Sequence, residues 1–270
     1  MTRFSHISWL TATLLALAIS QPAGALTIVD NYEGSDDHGY GDVIGSTADF
    51  EIFSMDATIT DNTLAVSIYT NFAGKGDAGL FSGITGGDGI GYGDLFLSSS
   101  WTPDGLAPYE TDDASTGTVW EYGFSLEDRW ANDGGGAVTD LAGTLYSLNS
   151  GDNNTDALLS GDFLTGGTYR DGQEVAVDTC DPSDAACNAD VTALTNTGSW
   201  GIDTANKLIT FTIDLSGTSL ADSSQIALHW GMTCANDVIE GEIPAPVILL
   251  LMATGLLGVG VTTAVKRKRA

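Results

Sequence analysis

The side chains best suited to chemistry are acids and amides in two loops that also contain glycine. A hard cation such as Ca²⁺ takes about six to eight oxygen ligands from carboxylates, amides and backbone carbonyls. Loops that combine Asp or Asn with Gly supply such oxygens, because glycine lets the backbone turn its carbonyls inward. The predicted calcium ligands are Asp36, Asp37, Asp42, Asn236 and Asp237. The same residue types also form ordinary surface turns, which is the alternative interpretation of both loops.

Two other loops carry only part of a calcium-binding motif. The loop at 86–94 begins like a nonapeptide repeat, but Gly91 replaces the aspartate and the motif does not recur. The loop at 152–156 has the first ligand spacing of an EF-hand, but Ala157 replaces the turning glycine and Phe163 replaces the bidentate Glu. We therefore predict no calcium site at either loop.

No recognisable catalytic motif occurs in the sequence. His6 lies in a predicted signal peptide, so only His38 and His229 remain for the folded part. Neither has the spacing of a Ser-His-Asp or Cys-His arrangement or of a zinc site. Two of the 36 acids could still serve as the acid and base of a glycosidase. We predict a non-enzymatic protein with calcium as its candidate cofactor, and the alternative is a secreted glycoside hydrolase or lyase acting on polysaccharide.

The charge of the chain restricts its partners. All 36 acidic residues, but only four of the nine basic residues, lie between residues 26 and 243. Such an acidic body repels phosphates, which excludes nucleic acid as a partner. Tyr92, Trp101 and Tyr109 could stack on sugar rings beside these acids, although aromatic residues more often pack in a core. Extracellular polysaccharide is therefore a candidate partner.

Cysteine usage indicates an oxidising compartment. Cys180 and Cys187 bracket a short loop and are predicted to form a disulfide. Cys234 belongs to the run 226–234, in which apolar residues occupy the even positions. Strand alternation places Cys234 on the buried face, whereas His229 projects from the opposite face. The prediction for Cys234 is a free, buried thiol.

Alternation of apolar and polar residues predicts the fold. The alternating segments are 53–59, 64–68, 120–126 and 209–215. Phe53 belongs to the apolar set of the first segment, Trp120 begins that of the third, and Asp61-Asn62 predicts a hairpin turn between the first two. No long segment has a helical period. We predict one all-β domain at 26–243, an antiparallel β-sandwich with jelly-roll or Greek-key connections.

Both ends of the chain carry the features of export signals. Residues 1–25 have a positive start, a short apolar core and the small residues Ala23 and Ala25, which is typical of a cleaved secretory signal helix. The apolar run 247–265 is long enough for a C-terminal transmembrane helix. A basic cluster follows and would stay on the cytoplasmic side. It consists of Lys266, Arg267, Lys268 and Arg269.

The segment 244–270 resembles the PEP-CTERM sorting signal of exported bacterial proteins. That signal combines a proline motif, a membrane helix and a basic cluster, and Pro244-Ala245-Pro246 stands here in place of the usual Pro-Glu-Pro. The resemblance implies an exosortase-type sorting enzyme as partner, anchoring in the membrane, and then a location in the cell envelope, at the cell surface or outside the cell. A plain tail anchor is the alternative.

Parts of the body also resemble exported proteins that carry this tail. The similar pieces are 36–45, 91–96 and 236–241, and they bring no known activity. The layout is loosely similar to carbohydrate-binding β-sandwich modules, some of which hold structural calcium. We expect an exported envelope or matrix protein that binds glycan, calcium or both. A purely structural surface protein is the further alternative.

Overall fold

The computed structural model describes residues 25–35, 39–76, 89–131, 137–149, 157–160, 170, 172–179 and 190–244 of the 270-residue chain. Several predictions concern residues outside these ranges. They are the signal segment through residue 24 with Ala23, the ligands Asp36 and Asp37, the disulfide partners Cys180 and Cys187, and the tail from Ala245, with Pro246, Lys266, Arg267, Lys268 and Arg269. In the part of the chain that is described, no helix has the length and apolar character needed to cross a bilayer.

Strands dominate the described residues. A four-residue helix, α1, spans Thr47–Phe50, and a 3-10 helix spans Ser219–Asp222. The strands are β1 Leu26–Val29, β2 Ile52–Thr60, β3 Thr63–Thr70, β4 Leu95–Ser98, β5 Tyr122–Leu126, β6 Val138–Leu148, β7 Leu158–Ser160, β8 Glu174–Val177, β9 Val191–Asp203, β10 Leu208–Asp214, β11 Gln225–Gly231 and β12 Val238–Pro244. The predicted all-β class is confirmed.

Ten of the strands form one antiparallel sheet. Its order is β1-β2-β3-β10-β9-β6-β5-β4-β11-β12, while β7 and β8 form a separate two-stranded sheet. The edge strands β1 and β12 contact each other, so the large sheet nearly closes on itself. At this junction the side chain of Ile28 lies against Gly241, where a Cβ atom would come within 2.7 Å of it. We call this junction of β1 and β12 the seam.

The predicted hairpin is confirmed, apart from the position of one side chain. Next to the turn, Thr58 of β2 pairs with Ala65 of β3, and Thr60 pairs with Thr63. Asp61 in the turn has a φ of 54°, which Asp tolerates better than most residues. Phe53 does not join the apolar face but is 46% exposed. The register shifts between Ile52 and Ser54, and such a bulge reverses the alternation before it.

A single apolar cluster fills the inside of the sheet. Each of the ten strands contributes to it, with Ile28 from β1 and Ile239 from β12 at the two edges. A second cluster lies on the opposite face, where Val177 of β8 packs over Phe96 and Ala227. Trp120 belongs to this second cluster, because β5 begins only at Tyr122 and the predicted alternation does not extend back to residue 120. β4 and β11 are therefore buried on both faces.

A buried carboxylate fastens the β7–β8 layer to the sheet. The side chain of Asp94 accepts hydrogen bonds from the backbone N–H groups of Leu126 at 2.9 Å and Val177 at 2.8 Å. It also pairs with the guanidinium of Arg129 at 3.0 Å. Burial raises the pKa of Asp94, and Arg129 and the two amides oppose that rise. One side chain thus joins β4, β5 and β8.

Replacing Asp94 should be among the costliest substitutions in the protein. Asp94→Ala would leave two buried N–H groups without their acceptor and remove the carboxylate that pairs with Arg129, so we expect the free energy of unfolding to fall by about 3–5 kcal/mol. Urea denaturation followed by tryptophan fluorescence measures the change. Glu110→Ala, at an exposed position, is the control and should change stability by less than about 0.5 kcal/mol. Equal midpoints for the two variants would contradict this role of Asp94.

Candidate metal sites

Two of the predicted calcium ligands come together with a third carboxylate that the sequence did not single out. One carboxylate oxygen from each of Asp30, Asp42 and Asp237 lies within 4.8 Å of the others. Asn236 precedes Asp237, and it is buried. We call Asp30, Asp42, Asn236 and Asp237 the seam site.

The position of the seam site follows from the topology. Asp30 directly follows β1, and Asp237 directly precedes β12, so the two flank the seam. Asp42 comes from the loop between β1 and α1. The two oxygens of Asp237 accept hydrogen bonds from the backbone N–H groups of Ile52 at 2.6 Å and Val238 at 2.9 Å. These bonds fix the orientation of the carboxylate.

Two oxygen atoms of the seam site are buried without a hydrogen-bond donor. They are Oδ2 of Asp30 and Oδ1 of Asn236. The amide of Asn236 is held by its own Nδ2, which donates to the carbonyl of Ile44 at 2.6 Å, two residues from Asp42. A buried acceptor without a partner costs about 1–3 kcal/mol. A cation held by the three carboxylates would satisfy Oδ2 of Asp30.

The electrostatics of the seam site also favour a cation. Burial raises the pKa of Asp30 to about 8, and the charge on Asp42 adds to the rise. Burial and the charge on Asp30 raise the pKa of Asp237 well above its usual range. Arg170 lowers the pKa of both groups without reversing either shift. The three carboxylates can all ionise only if further positive charge reaches them.

Arg170 organises the loops around the seam site. Its guanidinium donates hydrogen bonds to the carbonyls of Gly34 at 2.8 Å, Gly41 at 2.9 Å, Asp42 at 2.8 Å and Ala235 at 3.3 Å. The side chain is almost completely buried. Its guanidinium therefore joins the loop that carries Asp42 to the residues just before Asp237.

A second cluster of ionisable groups is buried beneath the aromatic side chains on the outer face of the sheet. Glu174, His229 and Glu240 each bring one ligand atom within 4.8 Å of the others. They come from β8, β11 and β12, and His229 lies directly opposite Glu240 in the strand pairing. Nδ1 of His229 is 3.1 Å from Oε2 of Glu240, and Nε2 is 2.9 Å from the carbonyl oxygen of Glu174. We call these three residues the outer cluster.

No family model matches this chain, and no curated protein or solved structure gives a significant match.

The sequence did not reveal the partners of His229. Alternation correctly placed its side chain on the face opposite the apolar one. That opposite face is covered, however, and His229 is fully buried. The other positions on that face of β11 are Gln225, Ala227 and Gly231, none of which carries a charge. A strand without charges on either face is typical of one buried on both sides. That signal could have identified Glu240, its neighbour in the next strand, as a partner.

The three aromatic residues suggested as sugar platforms differ in exposure. Tyr92 is 0% exposed, and its hydroxyl accepts hydrogen bonds from the backbone N–H groups of Gly74 and Gly76 at 2.9 and 3.1 Å, so this suggestion is wrong for Tyr92. Trp101 and Tyr109 are half-buried and in edge-to-face contact, with ring centroids 5.5 Å apart. Only these two remain as candidate sugar contacts.

Cys234 is free and completely buried, as the alternation predicted. Burial raises the pKa of its thiol to about 12, so almost no reactive thiolate exists at neutral pH. We expect an aromatic disulfide reagent to find no reactive thiol in the native oxidised protein, one after denaturation, and three after reduction. One reactive thiol in the native protein would contradict the burial of Cys234, and three in the denatured, unreduced protein would exclude the Cys180–Cys187 disulfide.

Proposed function

We propose that this protein is a non-enzymatic, exported component of the cell envelope or extracellular matrix whose β-domain is stabilised by calcium at the seam site. The observation that carries the proposal is the convergence of Asp30, Asp42 and Asp237, with Oδ2 of Asp30 buried and without a donor. Ligands separated by most of the chain meet there only in the folded state. Calcium binding is therefore coupled to folding.

The donor atoms favour calcium over softer metals. All of them are oxygens, from three carboxylates and one amide, and hard cations prefer this set. The loop around Asp42 contains Gly39 and Gly41, both with a positive φ that glycine adopts more readily than other residues. Calcium accepts a larger and less regular ligand shell than magnesium does.

Export agrees with this use of calcium. The predicted signal peptide and sorting tail direct the body to the outside of the cell, where calcium sites of about 10⁻⁴–10⁻³ M affinity are useful. The tail would engage an exosortase-type enzyme and the membrane. Pro244 ends β12 opposite Gln225, so the proposed sorting motif begins inside the last strand without an intervening linker.

The proposal includes a polysaccharide as partner and a sandwich-like arrangement of the sheet. Trp101 and Tyr109 support the first, because half-buried aromatic rings beside acidic groups suit the faces of sugars. The pairings of β3 with β10 and of β4 with β11 support the second, because such crossovers occur in Greek-key and jelly-roll connections. The two half-buried rings would set which glycan binds.

Calcium should stabilise the full chain purified in mild detergent. At a concentration about 100 times the dissociation constant we expect a gain of about 2.7 kcal/mol in the free energy of unfolding. Titration calorimetry and thermal melting in calcium, in magnesium and in a chelator measure the effect. The melting temperature should rise most in calcium. Identical melting in calcium and chelator would overturn the proposal, and a glycan-binding screen under the same two conditions tests the polysaccharide partner.

A further inference from the structure

We propose that the outer cluster is a second metal site, specific for a transition metal such as Zn²⁺, with Nδ1 of His229 and one carboxylate oxygen each of Glu174 and Glu240 as its ligands. This site is separate from the seam site and does not depend on calcium binding. Its ligand set is one imidazole nitrogen and two carboxylate oxygens, a combination that suits zinc better than calcium.

The hydrogen bonds of His229 leave a distinct role for Nδ1. Its Nε2 faces the backbone carbonyl of Glu174, which can only accept, so Nε2 must carry a hydrogen and donate it. Nδ1 faces Oε2 of Glu240 at 3.1 Å. A neutral imidazole would then point its lone pair at a carboxylate, and the two repel unless a positive centre lies between them. That centre is either a proton or a metal ion.

The two glutamates of the cluster accept hydrogen bonds of the kind that usually orient metal ligands. Oε1 of Glu240 accepts hydrogen bonds from Nε1 of Trp101 at 2.7 Å and from the hydroxyl of Thr118 at 3.0 Å. Oε1 of Glu174 accepts one from Nε1 of Trp120. In metal sites, such outer partners fix the ligands and raise their basicity. Each ligand is therefore anchored through one atom, and the second atoms of His229 and Glu240, Nδ1 and Oε2, face each other in the cluster.

The charge of the cluster fits a divalent ion better than a single proton. Two buried carboxylates face one imidazole, and Asp112 lies close enough for the charge on Glu240 to raise its pKa. With only one proton, on His229, the cluster would keep a net negative charge, and it would become neutral only if one glutamate also held a proton. A divalent ion balances both of them while the imidazole stays neutral, which removes most of the cost of burying the charge.

The place of the cluster indicates a structural role for the ion. It links β8 of the outer layer to β11 and β12 of the main sheet, beneath the half-buried ring of Trp101. All three ligands are almost completely inaccessible. One trapped water would complete the four-coordinate geometry that zinc prefers. The ion would enter during folding.

Cobalt substitution tests the site in the full chain. The protein is refolded with Co²⁺ in excess calcium, which occupies the seam site, and the visible absorption of tetrahedral cobalt is recorded together with the bound zinc of a parallel sample. We expect one metal per chain, bound without the charge-transfer band of a cobalt thiolate. His229→Gln should abolish it, Trp101→Phe should weaken binding about 10–100-fold by releasing Glu240, and Asp61→Asn, in the exposed β2–β3 turn, should leave it unchanged.

A second measurement does not depend on the variants folding. In wild-type protein with ¹⁵N-labelled histidine, saturating Zn²⁺ should shift the Nδ1 resonance of His229 and leave Nε2 protonated. Two protonated ring nitrogens in the presence of zinc would overturn the proposal and identify the cluster as an imidazolium–carboxylate pair. Cobalt binding that survives His229→Gln in folded protein would overturn it as well.

Discussion

Asp30→Asn should stabilise the protein in a chelator and abolish its stabilisation by calcium. The amide keeps the shape of the carboxylate and is always neutral, whereas in a chelator Asp30 must either bury a charge beside Asp42 and Asp237 or hold a proton that the unfolded chain releases. In the absence of calcium we expect the free energy of unfolding to rise by about 1–3 kcal/mol, the range for relieving an unpartnered buried acceptor. With calcium, the missing charge should weaken binding so far that the stabilisation seen in the wild type disappears.

The opposite signs of these two effects separate a metal site from an ordinary polar cluster. Thermal and urea denaturation of the wild type and the variant, each with calcium and with chelator, give all four stabilities. Asp61→Asn is the matched control, since it makes the same chemical change in an exposed turn with a φ of 54° that Asn accepts. A variant that is destabilised in both conditions would show that Asp30 has a structural role only.

In a chelator, the stability of the protein should fall as the pH rises from about 4 to about 8. The pKa of Asp30 is raised from 3.8 to about 8, first by burial and then by Asp42, so the folded state keeps a proton that the unfolded chain releases. The pKa values of Glu174 and Asp112 are also raised mainly by burial, to about 7 and about 6. Each retained proton contributes a slope of up to about 1.4 kcal/mol per pH unit.

Calcium should reverse much of this dependence, because the ion takes the place of the protons at the seam site. Its affinity should therefore increase with pH up to about 8. Urea midpoints at several pH values, with calcium and with chelator, provide the measurement. Stability that rises between pH 4 and 8 in the chelator, or the same slope in both conditions, would be incompatible with carboxylates that share buried negative charge.

Local patterns were sufficient to predict the parts of the fold that depend on neighbouring residues. The β2–β3 hairpin was predictable because its alternation and its turn lie within one short segment. Phe53 was misplaced because a bulge depends on how two strands pair, and alternation alone does not reveal it. The burial of Cys234 was predicted correctly, although β11 ends at Gly231 and Cys234 lies in the turn that follows it.

The candidate sites depend on contacts between distant parts of the chain, which is why the sequence revealed only some of their residues. Asp42 and Asp237 stood out because they lie in loops rich in Asp, Asn and Gly. Asp30 joins them only because the sheet nearly closes and brings β1 to β12. Glu174 meets His229 only because the β7–β8 layer covers the outer face of β11. Long-range pairing of this kind leaves no periodic signal in the sequence.

Strand β12 has a mechanical consequence for a protein held by its C-terminus. It is the last strand before the proposed tail, so a pulling force from the cell surface would reach it before any other element. Asp237 directly precedes this strand and Glu240 lies within it, and each belongs to a different cluster of candidate metal ligands. Two coordinated ions would cross-link this strand to β1 and β8. The load at which the domain tears away from its anchor would then depend on the metal content of the surroundings.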